Sequence, residues 1–252
     1  MASDENQRLA ETEFVKKTRE TRDYHQWVGP SGLYDIIGAM QFNLLTFLGL
    51  RADHYLLDIG CGSLRAGRLF IPYLLPGHYY GLEPEKWVVD EAIKNELGEE
   101  AVRMRQPVFS HDDNYTLSTF DRQFDFLLAQ SVFSHAPESQ IRRCLSEARK
   151  VMGKESCFAA NFVVGDENYT GSEFLYPGLS TYTVEHMQDL AAEQGLALRL
   201  IDWAHPGPHQ WIVLADPAHL DSIPNTCDFS KWYANRMLRS KMPHVKKWAG
   251  ED

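Results

Sequence analysis

Apolar and polar positions are distributed unevenly along the chain, and a regular pattern begins only after position 32. Residues 4–24 are mostly polar and predict a helix whose few apolar anchors include Phe14 and Val15. The Gly29–Pro30 pair ends this segment, since both residue types break helices. A second helix is predicted from apolar residues at helical spacing, with Gly49 near its end: Leu33, Ile36, Ile37, Met40, Leu44 and Phe47.

From position 55 onward, short apolar runs alternate with amphipathic stretches. The predicted strands are 55–59, 79–82, 102–109, 124–129, 156–164, 196–203 and 211–215, and the helices between them are 64–75, 87–97, 138–152 and 183–194. Such alternation predicts an α/β fold with a doubly wound, mostly parallel seven-stranded sheet covered by helices on both faces.

The domain organisation follows from the absence of a Pro-, Gly- or Ser-rich linker. We predict an N-terminal helical extension or lid over residues 1–50, a single domain over 51–218 and a C-terminal tail over 219–252. The tail aromatics Trp232, Tyr233 and Trp248 either pack over the domain or contribute to a homodimer, and the sequence leaves both open.

The charge balance and the spacing of the cysteines disfavour several classes of function. The chain has 35 acidic and 25 basic side chains and a formal net charge of -10, which disfavours nucleic acid and favours a small-molecule partner. Its four cysteines are far apart and form no CxxC pair, so neither a zinc site nor a redox pair is expected. Without an apolar leader or a run of about 18 apolar residues, a cytoplasmic protein with no membrane segment is predicted.

The strongest chemical signal is a glycine-rich turn between the first predicted strand and the next helix. Residues 57–63 have the sequence Leu-Asp-Ile-Gly-Cys-Gly-Ser. Gly60 and Gly62 allow a tight turn and a close approach of the backbone to a ligand at the carboxyl end of the strand. The start of the helix offers free N–H groups to an anion such as a carboxylate. Asp58, two positions before the first glycine, makes the motif more specific.

This motif and its continuation to residue 69 resemble the class I S-adenosylmethionine (SAM)-dependent methyltransferases, and among them a bacterial subfamily that acts on small molecules. The resemblance covers residues 55–215 and implies a Rossmann-like methyltransferase fold with SAM as cofactor. It departs from the common motif at Leu64, where many members have a third glycine. By resemblance, Arg65 is expected near the carboxylate of the cofactor, and the binding loop comprises Asp58, Gly60, Cys61, Gly62 and Ser63.

Acidic residues after the next two strands extend the expected cofactor site. Glu83 closes strand 79–82, where a carboxylate can accept hydrogen bonds from both ribose hydroxyls of an adenosine ligand. Pro84 after it resembles the same subfamily. Asp112 and Asp113 follow the third strand, where the resemblance implies a partner for the adenine amino group. Which of the two acts is left open, and an Asx turn explains them equally well.

Two later segments carry the remaining candidates. By resemblance, residues 129–137 pass beneath the methionine part of the cofactor, which makes Gln130 and Ser131 cofactor contacts and His135 an acceptor-side residue. On the loop between the last two strands, His209 is predicted to line the pocket and His205 to be a plain loop residue. No acidic or cysteine cluster joins them, so no metal site is expected.

The predicted activity is in-line methyl transfer from SAM to an oxygen or nitrogen of a small metabolite. Holding the acceptor in line with the methyl group supplies most of the catalysis, and His135 or His209 acts as base where the acceptor is a hydroxyl. One alternative is a NAD-dependent oxidoreductase, disfavoured because Arg65 stands where G-x-G-x-x-G/A requires a small residue. The other is a non-catalytic SAM-binding or interaction module.

Overall fold

A mixed eight-stranded sheet forms the centre of the protein. The computed structural model describes residues 12–225, and all statements below refer to that part of the chain. The strands are β1 (Leu56–Ile59), β2 (Tyr79–Leu82), β3 (Val108–Ser110), β4 (Phe124–Ala129), β5 (Met152–Val164), β6 (Thr181–Tyr182), β7 (Ala197–Ile201) and β8 (His209–Ala215).

The strand order is β3-β2-β1-β4-β5-β8-β7, and β6 pairs with the end of β5. Strands β1 to β5 are parallel to one another. β8 runs antiparallel to both β5 and β7. The α/β doubly wound fold is therefore confirmed, with one strand more than the seven predicted. The extra strand, β6, has two residues and is too short to produce an alternating pattern.

Eight α-helices surround the sheet: α1 (Glu13–Thr21), α2 (Tyr24–Trp27), α3 (Tyr34–Leu48), α4 (Gly67–Tyr73), α5 (Lys86–Ala92), α6 (Glu99–Arg105), α7 (Glu138–Val151) and α8 (Val184–Ala192). A π-helical turn, Ile93–Leu97, extends α5. Thr183 caps α8 as predicted, accepting the backbone N–H of His186 at 3.1 Å. Gly49 ends α3 in the left-handed conformation.

Alternate residues along the strands are buried in two separate hydrophobic cores, one on each face of the sheet. Leu57 and Leu127 belong to the core covered by α7 and α8, whereas Leu56 and Leu128 belong to the core covered by α3, α4 and α5. This is the period of two expected when helices cover both faces of a sheet. All four of these strand residues are fully buried.

The prediction of a strand over 102–109 was wrong for most of its length. Residues 99–105 form α6, and only Val108–Ser110 pairs with β2. Glu99 and Glu100 lie in the first turn of α6, and Arg103 and Arg105 in the last. These charges complement the helix dipole, and no residue of α6 is buried. The sequence feature that indicates this helix is therefore its charge distribution, because it has no periodic apolar face.

The N-terminal helices pack against the α5 side of the sheet. Val15 of α1 and Trp27 of α2 form a small apolar cluster with Val88 of α5. Ion pairs join the same elements, Arg19 to Glu85 and Arg22 to Glu91. The helix predicted over 4–24 is thus divided between α1 and α2 where it is described, and residues 4–11 lie outside the described part, as do Cys227 and the tail aromatics. The domain boundaries at 50 and 218 stay a prediction.

In residues 12–225, no helix combines the length and the apolar character required to cross a membrane.

Candidate active site

The glycine-rich turn lies between β1 and α4 and is covered by two valines. Gly60 and Gly62 have positive φ angles of 68° and 52°. A Cβ at Gly60 would lie 2.7 Å from Val132, and a Cβ at Gly62 would lie 2.5 Å from Val28. Both positions therefore require glycine twice, for the backbone conformation and for the close approach of the covering side chains.

Leu64 shows what the departure from the common motif means structurally. It has a φ of 55°, the left-handed region that glycine adopts without strain. Its side chain is fully buried in the core beneath the turn. The strained backbone delays the start of α4 to Gly67, although the apolar pattern predicted a helix from residue 64.

Two buried carboxylates lie at the carboxyl ends of β1 and β2. Asp58 accepts a hydrogen bond from the hydroxyl of Tyr79 at 2.8 Å. Glu83 accepts the backbone N–H groups of Gly62 and Glu85, each at 3.0 Å. Burial raises the pKa of each carboxyl to about 7, although these donors act in the opposite direction. Both residues are poised between the neutral and the ionised form near neutral pH.

The other residues predicted for the loop divide into two groups. Cys61 and Pro84 line the same cavity as Asp58 and Glu83. Ser63 does not line it: its hydroxyl donates to Tyr34 of α3 at 3.3 Å, and its carbonyl accepts the Tyr34 hydroxyl at 2.8 Å. The contact of Ser63 with a cofactor stays a prediction, and its described contacts fasten the turn to α3.

Asp112 and Asp113 both line the cavity beyond β3. Asp112 accepts the backbone N–H groups of Asn114 at 3.1 Å and Thr116 at 2.6 Å, so it forms an Asx turn. Asp113 accepts only the side-chain amide of Asn114, at 2.8 Å. The Asx turn anticipated from the sequence is thus present at Asp112, and both carboxylates still face the cavity.

One cavity of about 1360 Å³ connects these residues to the predicted acceptor side. We call the part around Asp58, Glu83 and Asp113 the cofactor end. The part lined by His135, His205, His209, Arg65 and Tyr176 is the histidine end. Gln130 and Ser131, which follow β4, also line the cavity and contact Arg65, His205 and His209 of the histidine end.

Arg65 is a buried cation at the histidine end. Its side chain is 6% exposed, and its guanidinium donates to the carbonyl of Val28 at 2.6 Å and to the side-chain oxygen of Gln130. No described carboxylate lies within ion-pair distance of it. Burial lowers its pKa to about 10, so it stays protonated at neutral pH. Its charge also lowers the pKa of His205 and His209, although burial is the main cause for both.

His135 is buried with its tautomer fixed. Nδ1 lies 2.9 Å from the carbonyl oxygen of Leu175 and 2.6 Å from that of Gly178. Carbonyls only accept, so Nδ1 carries the proton and Nε2 retains a lone pair. Burial lowers the pKa of His135, against the effect of the two carbonyls. The ring is therefore a neutral imidazole with one acceptor atom.

His209 and His205 lie together on the other wall. Their ring centroids are 4.3 Å apart, and His209 Nε2 is 3.3 Å from the hydroxyl of Ser131. Burial, then the neighbouring His205, His135 and Arg65, lower the pKa of His209 to about 3. His205 accepts the N–H of Gly207 at 2.9 Å and lines the cavity, so the prediction of a plain loop residue was wrong.

Ser131 is held in a strained conformation by Gln130 and by Asn161, of which the sequence indicated only Gln130. Its φ is 57°, and its backbone N–H donates to the side chain of Asn161 on β5 at 2.7 Å. Gln130 donates to its hydroxyl at 2.6 Å. Asn161 is fully buried and was missed because it lies within an otherwise apolar strand run, where a single amide is the only signal.

The aromatic wall of the histidine end was also missed. Phe174 and Tyr176 line the cavity from the loop between β5 and β6. The Tyr176 hydroxyl donates to the carbonyl of Trp27, which joins this loop to α2. The loop has no apolar period, and the only sequence signal was an aromatic residue before a proline, Tyr176–Pro177.

The chain is similar to known proteins in sequence and in fold. Residues 57–158 match the family model of a methyltransferase domain. No curated protein matches the chain significantly. Magnesium protoporphyrin IX methyltransferase (ChlM) from Synechocystis PCC 6803 with bound SAM is 14% identical, with a TM-score of 0.57 over 78% of this chain and 91% of that chain.

Two further solved structures have the same fold with other acceptors. The mitomycin 7-O-methyltransferase MmcR is 18% identical, with a TM-score of 0.59 over 81% of this chain and 61% of that chain. The glycopeptide N-methyltransferase MtfA complexed with SAM is 10% identical, with a TM-score of 0.56 over 71% of this chain and 94% of that chain. At such identities the likeness shows the fold.

Residues 57–158 thus match a methyltransferase domain, and the chain has the fold of the SAM-dependent methyltransferases among these solved structures. The family model supports the predicted enzyme class, and several of the similar structures hold SAM or S-adenosylhomocysteine, in line with the predicted cofactor. The glycine turn follows β1 and Glu83 follows β2, as the sequence motifs indicated.

Proposed function

We propose that the protein transfers a methyl group from SAM to an oxygen or nitrogen of a small molecule bound at the histidine end of the cavity. The observation that carries this proposal is the continuity of the cavity, which joins the glycine turn and Glu83 to the lone pair of His135. The volume of about 1360 Å³ exceeds the range of about 300–1,000 Å³ usual for a single ligand. It therefore suits two ligands side by side.

The cofactor end has the donor and acceptor set that SAM requires. The proposed contacts are Glu83 with the ribose, Asp112 or Asp113 with the adenine, and the turn with the amino-acid part. When bound, SAM supplies a methyl group already activated on a sulfonium. The proposed cofactor-binding residues are Asp58, Gly60, Cys61, Gly62, Ser63, Glu83, Pro84, Asp112, Asp113, Gln130 and Ser131, whereas Arg65 lies at the histidine end.

His135 is the better candidate for a general base. Its Nδ1–H donates to two carbonyls, which leaves Nε2 as an acceptor and opposes the effect of burial on its pKa. His209, with a pKa of about 3, is a much weaker base. We assign proton removal from a hydroxyl acceptor to His135, and hydrogen bonding with Ser131 and positioning of the acceptor to His209.

The N-terminal helices are proposed to act as a lid. Val28 covers Gly62, and Trp27 accepts a hydrogen bond from Tyr176 through its carbonyl. Residues 14–33 thus contribute one wall of the cavity and exclude water from the reacting groups.

An acceptor screen with isotope-labelled SAM, followed by mass spectrometry, tests the activity. With an acceptor identified, His135→Ala is expected to lower turnover by about a hundred- to ten-thousandfold for a hydroxyl substrate while SAM affinity stays near wild type. His186→Ala is the matched control, since His186 pairs with Glu138 outside the cavity.

The turnover rate of the wild type should rise with pH along a limb centred below pH 6.5, because burial lowers the pKa of His135. Full turnover in both His135→Ala and His209→Ala would show that no histidine base operates. Absence of SAM binding in a calorimetric titration would contradict the proposed function as a whole.

A further inference from the structure

The acidic side chains of the cavity lie at one end, where Arg19 pairs with Glu85. Five acidic residues line the cavity, and all belong to the carboxyl ends of β1, β2 and β3: Asp58, Glu83, Glu85, Asp112 and Asp113. Among the described residues that line the histidine end, none is acidic. The polar groups there are a buried arginine, three histidines, the amides of Gln41 and Gln130 and the hydroxyls of Ser131 and Tyr176.

The buried arginine gives this separation its electrostatic effect. Arg65 has only neutral partners, the Val28 carbonyl and the Gln130 amide, and its Nε is a buried donor with no partner among the described residues. Asp58 acts on Arg65 only from beyond ion-pair distance and as a minor influence on its pKa, so the burial of this cation is incompletely compensated and an anionic ligand would offset the remaining cost. The effect of Arg65 on the pKa of His205 and His209 shows that its field reaches the histidine end.

Aromatic rings form the walls around this positive region. Tyr176 lies edge-on to His135 with ring centroids 5.0 Å apart, and it lies 6.1 Å from the Trp27 ring. Phe174 is 5.8 Å from His135 on the same side. Flat, amphipathic rings around a cavity favour a planar ligand that can stack or meet them edge to face.

We infer that the acceptor is a planar aromatic hydroxyl compound that carries a negative charge, and not a cationic amine. This inference rests on the proposed function and names the substrate class of the same site. The aromatic wall holds the ring, Arg65 binds the anionic group, and His135 Nε2 accepts the hydroxyl proton. The nucleophilic oxygen then bonds to the methyl carbon as the bond from that carbon to sulfur breaks, and the electron pair of that bond stays on sulfur.

A matched pair of probes tests the charge preference. 4-Hydroxyphenylacetate and tyramine share the same phenol ring and differ in the charge of the side chain. Calorimetric titration into protein saturated with S-adenosylhomocysteine should give at least about tenfold tighter binding of 4-hydroxyphenylacetate, the low end for a charge-assisted contact. The saturated analogue 4-hydroxycyclohexylacetate should bind more weakly, because it is not planar.

Equal binding of the pair, tighter binding of tyramine, or binding of neither at millimolar concentration would overturn the inference. These outcomes are distinct from a failure of the proposed function, which a separate SAM titration and the acceptor screen report. Methylation of amines alone would leave methyl transfer intact and overturn only the substrate class.

Two variants locate the charge. Gln41→Glu introduces a nearly isosteric carboxylate on the cavity wall and should abolish the preference for the anionic probe, whereas Gln123→Glu, outside this cavity, should preserve it. Arg65→Met should abolish the preference, and Arg65→Lys should restore part of it. Loss of SAM affinity in Arg65→Met with an unchanged probe preference would assign Arg65 to the cofactor carboxylate and overturn its role here.

Discussion

The burial of Asp58 and Glu83 disfavours the charged form of both carboxyl groups. Both are almost fully buried, at 3% and 8% exposure, and burial raises the pKa of each to about 7. Their positions were predictable because each one ends an apolar strand beside a glycine turn or a proline. Their protonation was not, since it depends on how completely α3 and the lid close over them.

The first prediction concerns stability and pH. The folded-state pKa of Glu83 lies above the ordinary value of 4.5, so its contribution to stability is complete at pH below 4.5 and is lost as pH rises towards about 7. Glu83→Gln, which cannot ionise, should therefore gain melting temperature relative to wild type between pH 5 and pH 7.5. Thermal unfolding at several pH values measures the difference, and a constant gap between the two proteins would contradict it.

The second prediction concerns cofactor affinity. Ribose hydroxyls donate to an ionised carboxylate, so SAM binding to the wild type should strengthen as pH rises through about 7. Glu83→Ala should weaken binding about ten- to a hundredfold, which corresponds to the loss of roughly 1.5–3 kcal/mol of charge-assisted hydrogen bonding. Glu100→Gln on the exposed surface of α6 is the control. An unchanged dissociation constant in Glu83→Ala would move the ribose contact elsewhere.

Among the elements, those with a clear apolar period were predicted well. β4 matches its predicted bounds at Phe124–Ala129, and α7 differs by one residue, because both bury a regular set of side chains. α6 was missed because only its terminal charges indicate a helix. β6 was missed because this two-residue strand depends on its pairing with β5. The role of the loop from 165 to 180 was not predicted either, although its residues Phe174 and Tyr176 line the cavity.

α3 packs against the turn that precedes α4 at Gly38, a glycine that no sequence pattern singles out. A Cβ on Gly38 would lie 2.5 Å from the backbone oxygen of Arg65, an atom that cannot move without displacing the turn. Close approach here is what brings Ile37 and Gln41 to the cavity wall. The packing of this pair of helices thus sets the width of the histidine end.

The third prediction tests this contact. In a helix interior, glycine to alanine normally stabilises by up to about 1 kcal/mol. Gly38→Ala should instead lower the melting temperature and weaken SAM binding, because the added methyl group displaces the turn. Gly32→Ala is the matched control, since nothing lies within 4 Å of its Cβ. Equal melting temperatures for the two variants would show that α3 can shift at no cost.

At the scale of the whole molecule, the cavity lies between the N-terminal helices, our proposed lid, and the carboxyl ends of the strands. These helices are fastened through Arg19–Glu85, Arg22–Glu91 and the contacts of His25 and Tyr24 with Glu96. A ligand at the cofactor end touches both the lid and the strand ends, so binding should couple closure of the lid to global stability.

The fourth prediction follows from that coupling. S-adenosylhomocysteine at about a hundred times its dissociation constant should stabilise the fold by about 2.7 kcal/mol. For a chain of this size that corresponds to a rise in melting temperature of roughly 5–11 °C. Trypsin cleavage at Arg19 and Arg22 should slow in parallel. NAD serves as the control ligand and should change neither, whereas a shift with NAD alone would contradict the cofactor assignment.

The two hydrogen bonds that hold the lid from inside have an implication for enzyme engineering. Arg65 and Tyr176 donate to the main-chain oxygens of Val28 and Trp27, and every amino acid supplies such an oxygen. The latch is therefore independent of side-chain identity at both positions. Saturation libraries at 27 and 28 therefore keep both hydrogen bonds while they vary the packing of Trp27 against α1 and α5 and the cover that Val28 gives Gly62.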